Sequence, residues 1–99
     1  MIRGTTPLLE FTLPFETSLL AEAWVTLSQN KEVVLNKKLD MCKCEGCILS
    51  VKLTQEETLL LNCDCNTEIQ VRVRTLEGEA LASDIIRVGT DRILKDGVI

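Results

Sequence analysis

In "TEIQVRVRTL", starting at Thr67, apolar and polar residues take strict turns. Ile69, Val71 and Val73 fall on one side of an extended chain, and Gln70, Arg72 and Arg74 on the other. This period of two recurs along the chain and constrains the fold more than any other feature. Leu9, Phe11, Leu13 and Phe15 share a face in "LEFTLPF", with Pro14 suited to a sheet edge or strand end. Ala21, Ala23, Val25 and Leu27 share one in "AEAWVTLSQ", leaving Glu22, Trp24, Thr26 and Ser28 opposite, and Gln29 to Lys31 reads as a polar turn. "EVVLNKKL" is a weaker strand with Val33 and Leu35 inward. "CILSVKL" alternates with Cys47, Leu49, Val51 and Leu53 inward. "ALASDIIRVGT" closes a hairpin across the turn at Glu77-Gly78-Glu79.

One segment breaks the period. In "TQEETLLL", Thr54 and Glu57 have the spacing of a capping box, which predicts a helical turn near 55–61 packed through Leu59 to Leu61. Six strands with one helical turn between the fourth and fifth predict an all-β, immunoglobulin-like antiparallel two-sheet sandwich. Tyrosine is absent, so there is no tyrosine corner. The expectation is therefore architectural, without antibody-family membership. At 99 residues the chain suits a single domain, 1–99, with 90–99 as a C-terminal tail.

Composition narrows the function classes. A net charge of −4 argues against a nucleic-acid partner, whose phosphates need a basic face. No apolar run reaches the roughly 20 residues that span a bilayer, so no membrane partner is expected. Histidine is absent, which removes the commonest general base and a common zinc ligand. Ser50 and Ser83 then have no base to activate them. No nucleophile–base pair is visible, and no enzyme is expected. Arg72 and Arg74 could grip an anion, but read more simply as a solvated face. Glu56, Glu57, Glu77 and Glu79 read as cap and turn residues. Asp84 marks a bulge or an edge.

The five cysteines form the one metal-like pattern: "MCKCEGC" carries Cys42, Cys44 and Cys47, and "CDC" carries Cys63 and Cys65. Only Cys44-x₂-Cys47 has knuckle spacing. In the expected topology the two groups lie at opposite ends of a sandwich about 20 Å long. A zinc ion bound by all of them would need another fold or two molecules meeting head to tail. The alternatives are a Cys-rich zinc-binding module, disulfides, or Cys47 as a small core residue with the others as loop and strand-end thiols.

Trp24 lies on the face opposite Ala23, Val25 and Leu27. It anchors a contact if that face is open, or else is covered by the loop before it or by the tail. The tail itself offers Ile93, Leu94, Val98 and Ile99. With unpaired sheet edges, these residues favour assembly through strand addition, including a homo-oligomer.

"RGTTPLLEFTLPF", "VKLTQEETLLL" and "TEIQVRVRTLEGEALASDIIRVGTDRILKDGVI" together resemble a set of small phage and prophage proteins of Firmicutes. The opening Gly4-Thr5-Thr6 and the strand after it resemble the N-terminal sandwich domain of phage baseplate upper proteins. The resemblance implies a structural or adaptor role in a virion (tail, baseplate or head), with other virion or assembly proteins as partners. It implies synthesis in the bacterial host cytoplasm and no catalytic activity. The cysteine-rich loops lie outside it.

Overall fold

The computed structural model describes residues 1–99. The chain forms an all-β sandwich of two antiparallel sheets with one short α-helix. Its eight strands are β1 (Leu8–Thr12), β2 (Leu20–Gln29), β3 (Glu32–Lys38), β4 (Lys43–Glu45), β5 (Ile48–Lys52), β6 (Thr67–Thr75), β7 (Ala80–Ala82) and β8 (Ile86–Val88). One sheet has the order β1-β5-β4; the other runs β3-β2-β6, with β7 and β8 both on the far side of β6. With β1 taken as strand B, these read B-E-D and C′-C-F-G, the immunoglobulin-type order with G in two pieces. No A strand lies beside B.

The inward parity of each strand supplies the core. Leu13, Leu49, Val51 and Leu53 from one sheet meet Ala23, Val25, Leu27, Leu35, Ile69, Val71 and Val73 from the other. Burying a side chain of this kind contributes about 1.5–3 kcal/mol, so the alternating registers hold the sheets face to face.

Two bulges move side chains from their expected faces. The β2–β6 register shifts between Leu20 and Glu22, so Leu20 is buried and Ala21 is exposed. The β2–β3 register shifts between Leu27 and Ser28. This turns Val33 outward, 59% exposed, and brings Val34 against the core instead. The polar turn is shorter than expected: Gln29 ends β2 and is buried, and Asn30 and Lys31 make the turn with positive φ.

Other corrections follow from hydrogen bonding. "KCE" pairs with β5 as the hairpin arm β4, a strand that alternation could not mark because all three residues are exposed. The last hairpin strand is broken. β7 pairs Arg72 with Ala82, β8 pairs Ile69 with Ile86, and one extra residue bulges between them. Asp84 lies in that bulge, exposed.

The helix α1 spans Gln55–Leu59 with both capping-box bonds formed: Glu57 N–H to Thr54 Oγ1 at 3.1 Å and Thr54 N–H to Glu57 Oε1 at 2.9 Å. Thr58 and Leu61 are the buried residues here, while Leu60 is 63% exposed. The Lys37 ammonium of β3 reaches Glu57 Oε2 at 2.6 Å and ties this helix to the larger sheet.

Candidate interaction surfaces

The outer face of the larger sheet carries Trp24. Cross-strand pairing puts Lys38 on one side of it and Arg72 on the other. The Lys38 ammonium lies 5.3 Å from the ring centroid, a cation–π distance. The indole N–H donates to Glu22 Oε1 at 2.9 Å, and Arg74 pairs with Glu22 at 3.4 Å. The Trp24 bond, then the Arg74 bond and charge, hold the Glu22 carboxyl below its usual range. Trp24 is thus half-covered by its own sheet neighbours, not by the tail. Arg74 is spent on Glu22, so Arg72 and Arg74 do not form a free pair for an anion.

The tail lies elsewhere, across the end of β5 and α1. Ile99 N–H donates to Gln55 Oε1 at 2.8 Å, and Gln55 Nε2 donates back to Ile99 O at 3.1 Å. Arg3 Nε donates to Leu61 O at 2.7 Å and Arg3 Nη2 to Leu59 O at 3.0 Å, filling carbonyls at the helix end that have no intrahelical partner. Its other arm faces Asp96 at 3.7 Å. Ile93 is half-buried beside Gly4, whose φ of +74° disfavours any side chain and where an added Cβ would sit 3.0 Å from Ile93 Cδ1. Leu94 and Ile99 point out, 93% and 89% exposed, with Val98 at 53%. Trp24 and the tail therefore belong to different surfaces.

The cysteines also separate. All five are free thiols. Cys42 packs against the core, and Cys44 is exposed opposite Leu49. Cys47 is half-buried at the β4–β5 turn, so Cys42 and not Cys47 is the core-contacting thiol. Burial raises the Cys42 thiol, with Cys44 and Asp40 adding to it and Lys37 opposing. Gly46 in that turn accepts the Thr17 N–H at 2.8 Å, close to where Leu20 pairs Thr75. Cys63 and Cys65 lie before Thr67, at the opposite end of β6, beside Gly89, Thr90 and Asp91. Nine residues of strand separate those ends by about 27 Å, and no three Cys, Asp or Glu side chains converge as a metal shell. Ser50 and Ser83 hydroxyls serve the backbone: Ser50 donates to Lys43 O, and Ser83 accepts the Val71 N–H and donates to Asp84 O.

A surface that the sequence reading missed lies between the sheets. At one side of the sandwich a groove of about 490 Å³ runs between β1 and the broken β7–β8 strand. Leu81 faces the same way as Val73, and Ile86 the same way as Ile69. Both are on the core side of their sheet, yet they are 43% and 48% exposed because nothing covers them. Phe11, Leu13 and Phe15 form the other wall. Alternation alone could not find it: Leu81 and Ile86 are of opposite parity in the sequence and share a face only because of the bulge at Asp84.

The fold and its surfaces define an immunoglobulin-type sandwich with one open side. Comparison with protein-family models, curated proteins and solved structures gives no match.

Proposed function

We propose that this protein is a small structural or adaptor component of a phage particle that works through protein–protein contacts. The reading rests on the resemblance to phage and prophage proteins and on one structural observation. Four of the five edge strands leave an apolar side chain uncovered. Edge strands β1, β3, β7 and β8 each expose a large apolar side chain: Leu8, Val33, Leu81 and Ile86, at 55, 59, 43 and 48%. Charge and proline at β1 and the short length of β7 and β8 limit backbone pairing but do not cover these side chains. The tail adds Leu94 and Ile99. Where such side chains lie together, as Leu81 and Ile86 do beside Phe11 and Phe15, the exposed apolar patch marks a contact surface.

Quantitative mass spectrometry of purified particles and assembly intermediates, with lysine cross-linking, tests the reading. It expects the protein in fixed ratio to a head, tail or baseplate component, cross-linked through a sheet edge or the tail. A strictly monomeric protein absent from particles and intermediates contradicts it.

A further inference from the structure

The open groove is bounded by an edge that is ready to pair. Leu53 N–H bonds to Pro7 O at 3.0 Å and Leu13 N–H to Cys47 O at 2.8 Å, which fixes the phase of the β1–β5 ladder. Leu9, Phe11 and Leu13 turn their backbone groups toward β5. Leu8, Glu10 and Thr12 turn theirs to the free edge. The inward side chains Phe11 and Leu13 then belong to the groove wall beside that edge. The same side of the sandwich is already closed further along by a strand-like contact. Met1–Arg3 bonds to Gly89–Asp91 through Asp91 N–H to Met1 O at 2.7 Å and Arg3 N–H to Asp91 O at 3.1 Å, around a parallel bridge at Ile2 and Asp91. The groove continues that line past the point where the chain's own coverage stops.

The charge at this edge selects the occupant. Glu10 stands at the middle of β1 on its outer face and joins no ion pair within the chain. Antiparallel pairing of β1 with β1 of a second copy about its centre sets Glu10 against Glu10, and like charges directly opposite are destabilising. Pro7 and Pro14 frame the edge and confine pairing to the residues between them. A second copy paired through its own β1 is therefore disfavoured, and a strand with a cation at its centre is favoured.

We infer that the groove takes an extended segment donated by a different protein chain, which adds as a strand antiparallel to β1. Its residue opposite Glu10 is lysine or arginine, and the large apolar residues on either side enter the space between Phe11, Leu81 and Ile86. Main-chain bonds to Leu8, Glu10 and Thr12 supply affinity, and the inward side chains supply selectivity. The inference deepens the contact-forming reading above and rests on it for the partner being a particle component.

Selection of a displayed library of random nonapeptides on the full-length protein tests it. Enriched peptides are expected to carry apolar–basic–apolar triplets. Leu81→Asp and Ile86→Asp change side chains that are already half-exposed, and both variants are expected to fold, which circular dichroism melts check. Each is expected to weaken the selected peptides by at least about tenfold. Glu10→Lys is expected to switch the enriched central residue to Asp or Glu. Enrichment without the triplet, no enrichment, equal binding to Leu81→Asp, or a wild-type dimer dispersed by Leu81→Asp overturns the inference. These outcomes are independent of particle mass spectrometry. A protein found in particles whose groove selects nothing keeps the reading and loses the inference; triplet selection by a protein absent from particles does the reverse.

Discussion

Gln29 and Asn62, 33 positions apart, hold each other by two hydrogen bonds: Gln29 Nε2 donates to Asn62 O at 2.9 Å, and Asn62 N–H donates to Gln29 Oε1 at 2.8 Å. The amide thus copies one rung of a β ladder and pins the loop after α1 to the end of β2. Gln29 Nε2 also donates to Thr67 at 3.1 Å, and Thr67 and Thr90 share a bond of 2.8 Å. No buried side-chain polar atom in the molecule is left without a partner, as a low-dielectric interior requires.

Gln29→Leu keeps the volume and removes every bond. It leaves the Asn62 N–H and a threonine hydroxyl short of partners, and an unsatisfied buried group costs about 1–3 kcal/mol. Urea denaturation is expected to show a loss of about 3 kcal/mol at unchanged slope. A loss under about 0.5 kcal/mol contradicts the network.

Glu57 predicts a pH dependence. Burial is the largest single influence on this carboxyl and raises it. The Lys37 bond and charge, with the two Thr54 bonds, outweigh that effect and leave it below its ordinary range. A group depressed in the folded state stabilises above its unfolded value, about pH 4.5. That stability is lost as pH falls through the folded value. Glu57→Gln is therefore expected to melt below wild type at pH 7, with the gap closing in acid. A gap that stays constant from pH 7 to pH 3 contradicts the assignment.

Arg3 closes the helix end and the tail at once. Arg3→Met keeps the aliphatic stem but frees the Leu59 and Leu61 carbonyls, with an expected loss of about 2 kcal/mol. Arg3→Lys recovers less than half, because one ammonium cannot reproduce the planar fork. Full rescue by lysine in thermal melts points to charge alone and contradicts this role.

The thiols are expected to react at rates set by exposure. Iodoacetamide footprinting at pH 8 should label Cys44 first and Cys42 last, since Cys42 packs on the core and burial raises its thiol. Because the two cysteine groups lie at opposite ends of β6, cobalt added under reducing conditions should give no stoichiometric thiolate charge-transfer bands in the monomer. Such bands, with a chelator-sensitive melt, contradict the observed separation.

Strand parity was legible wherever apolar and polar residues alternate without interruption: β6 throughout, β5, β1, and β2 after its bulge. The Thr54–Glu57 spacing marked α1. What stayed hidden has local physical causes. The bulges at Leu20/Glu22 and Leu27/Ser28 shift parity by one residue, and nothing in the composition there announces them. β4 is held by backbone pairing alone. Gln29 and Thr67 are polar, so hydropathy passes over them, yet they stand in phase with Leu27 and Ile69, and that parity was the available clue to their burial. The groove depends on a strand that is missing, which becomes visible only when the sheets are counted.

Residue-resolved amide hydrogen exchange of the isolated protein tests most directly whether this sandwich is open at β1. Slow exchange at Leu9, Phe11 and Leu13, alternating with fast exchange at Leu8, Glu10 and Thr12, is the expected pattern. Uniform protection across all six amides would mean that the edge is already occupied and would contradict the account.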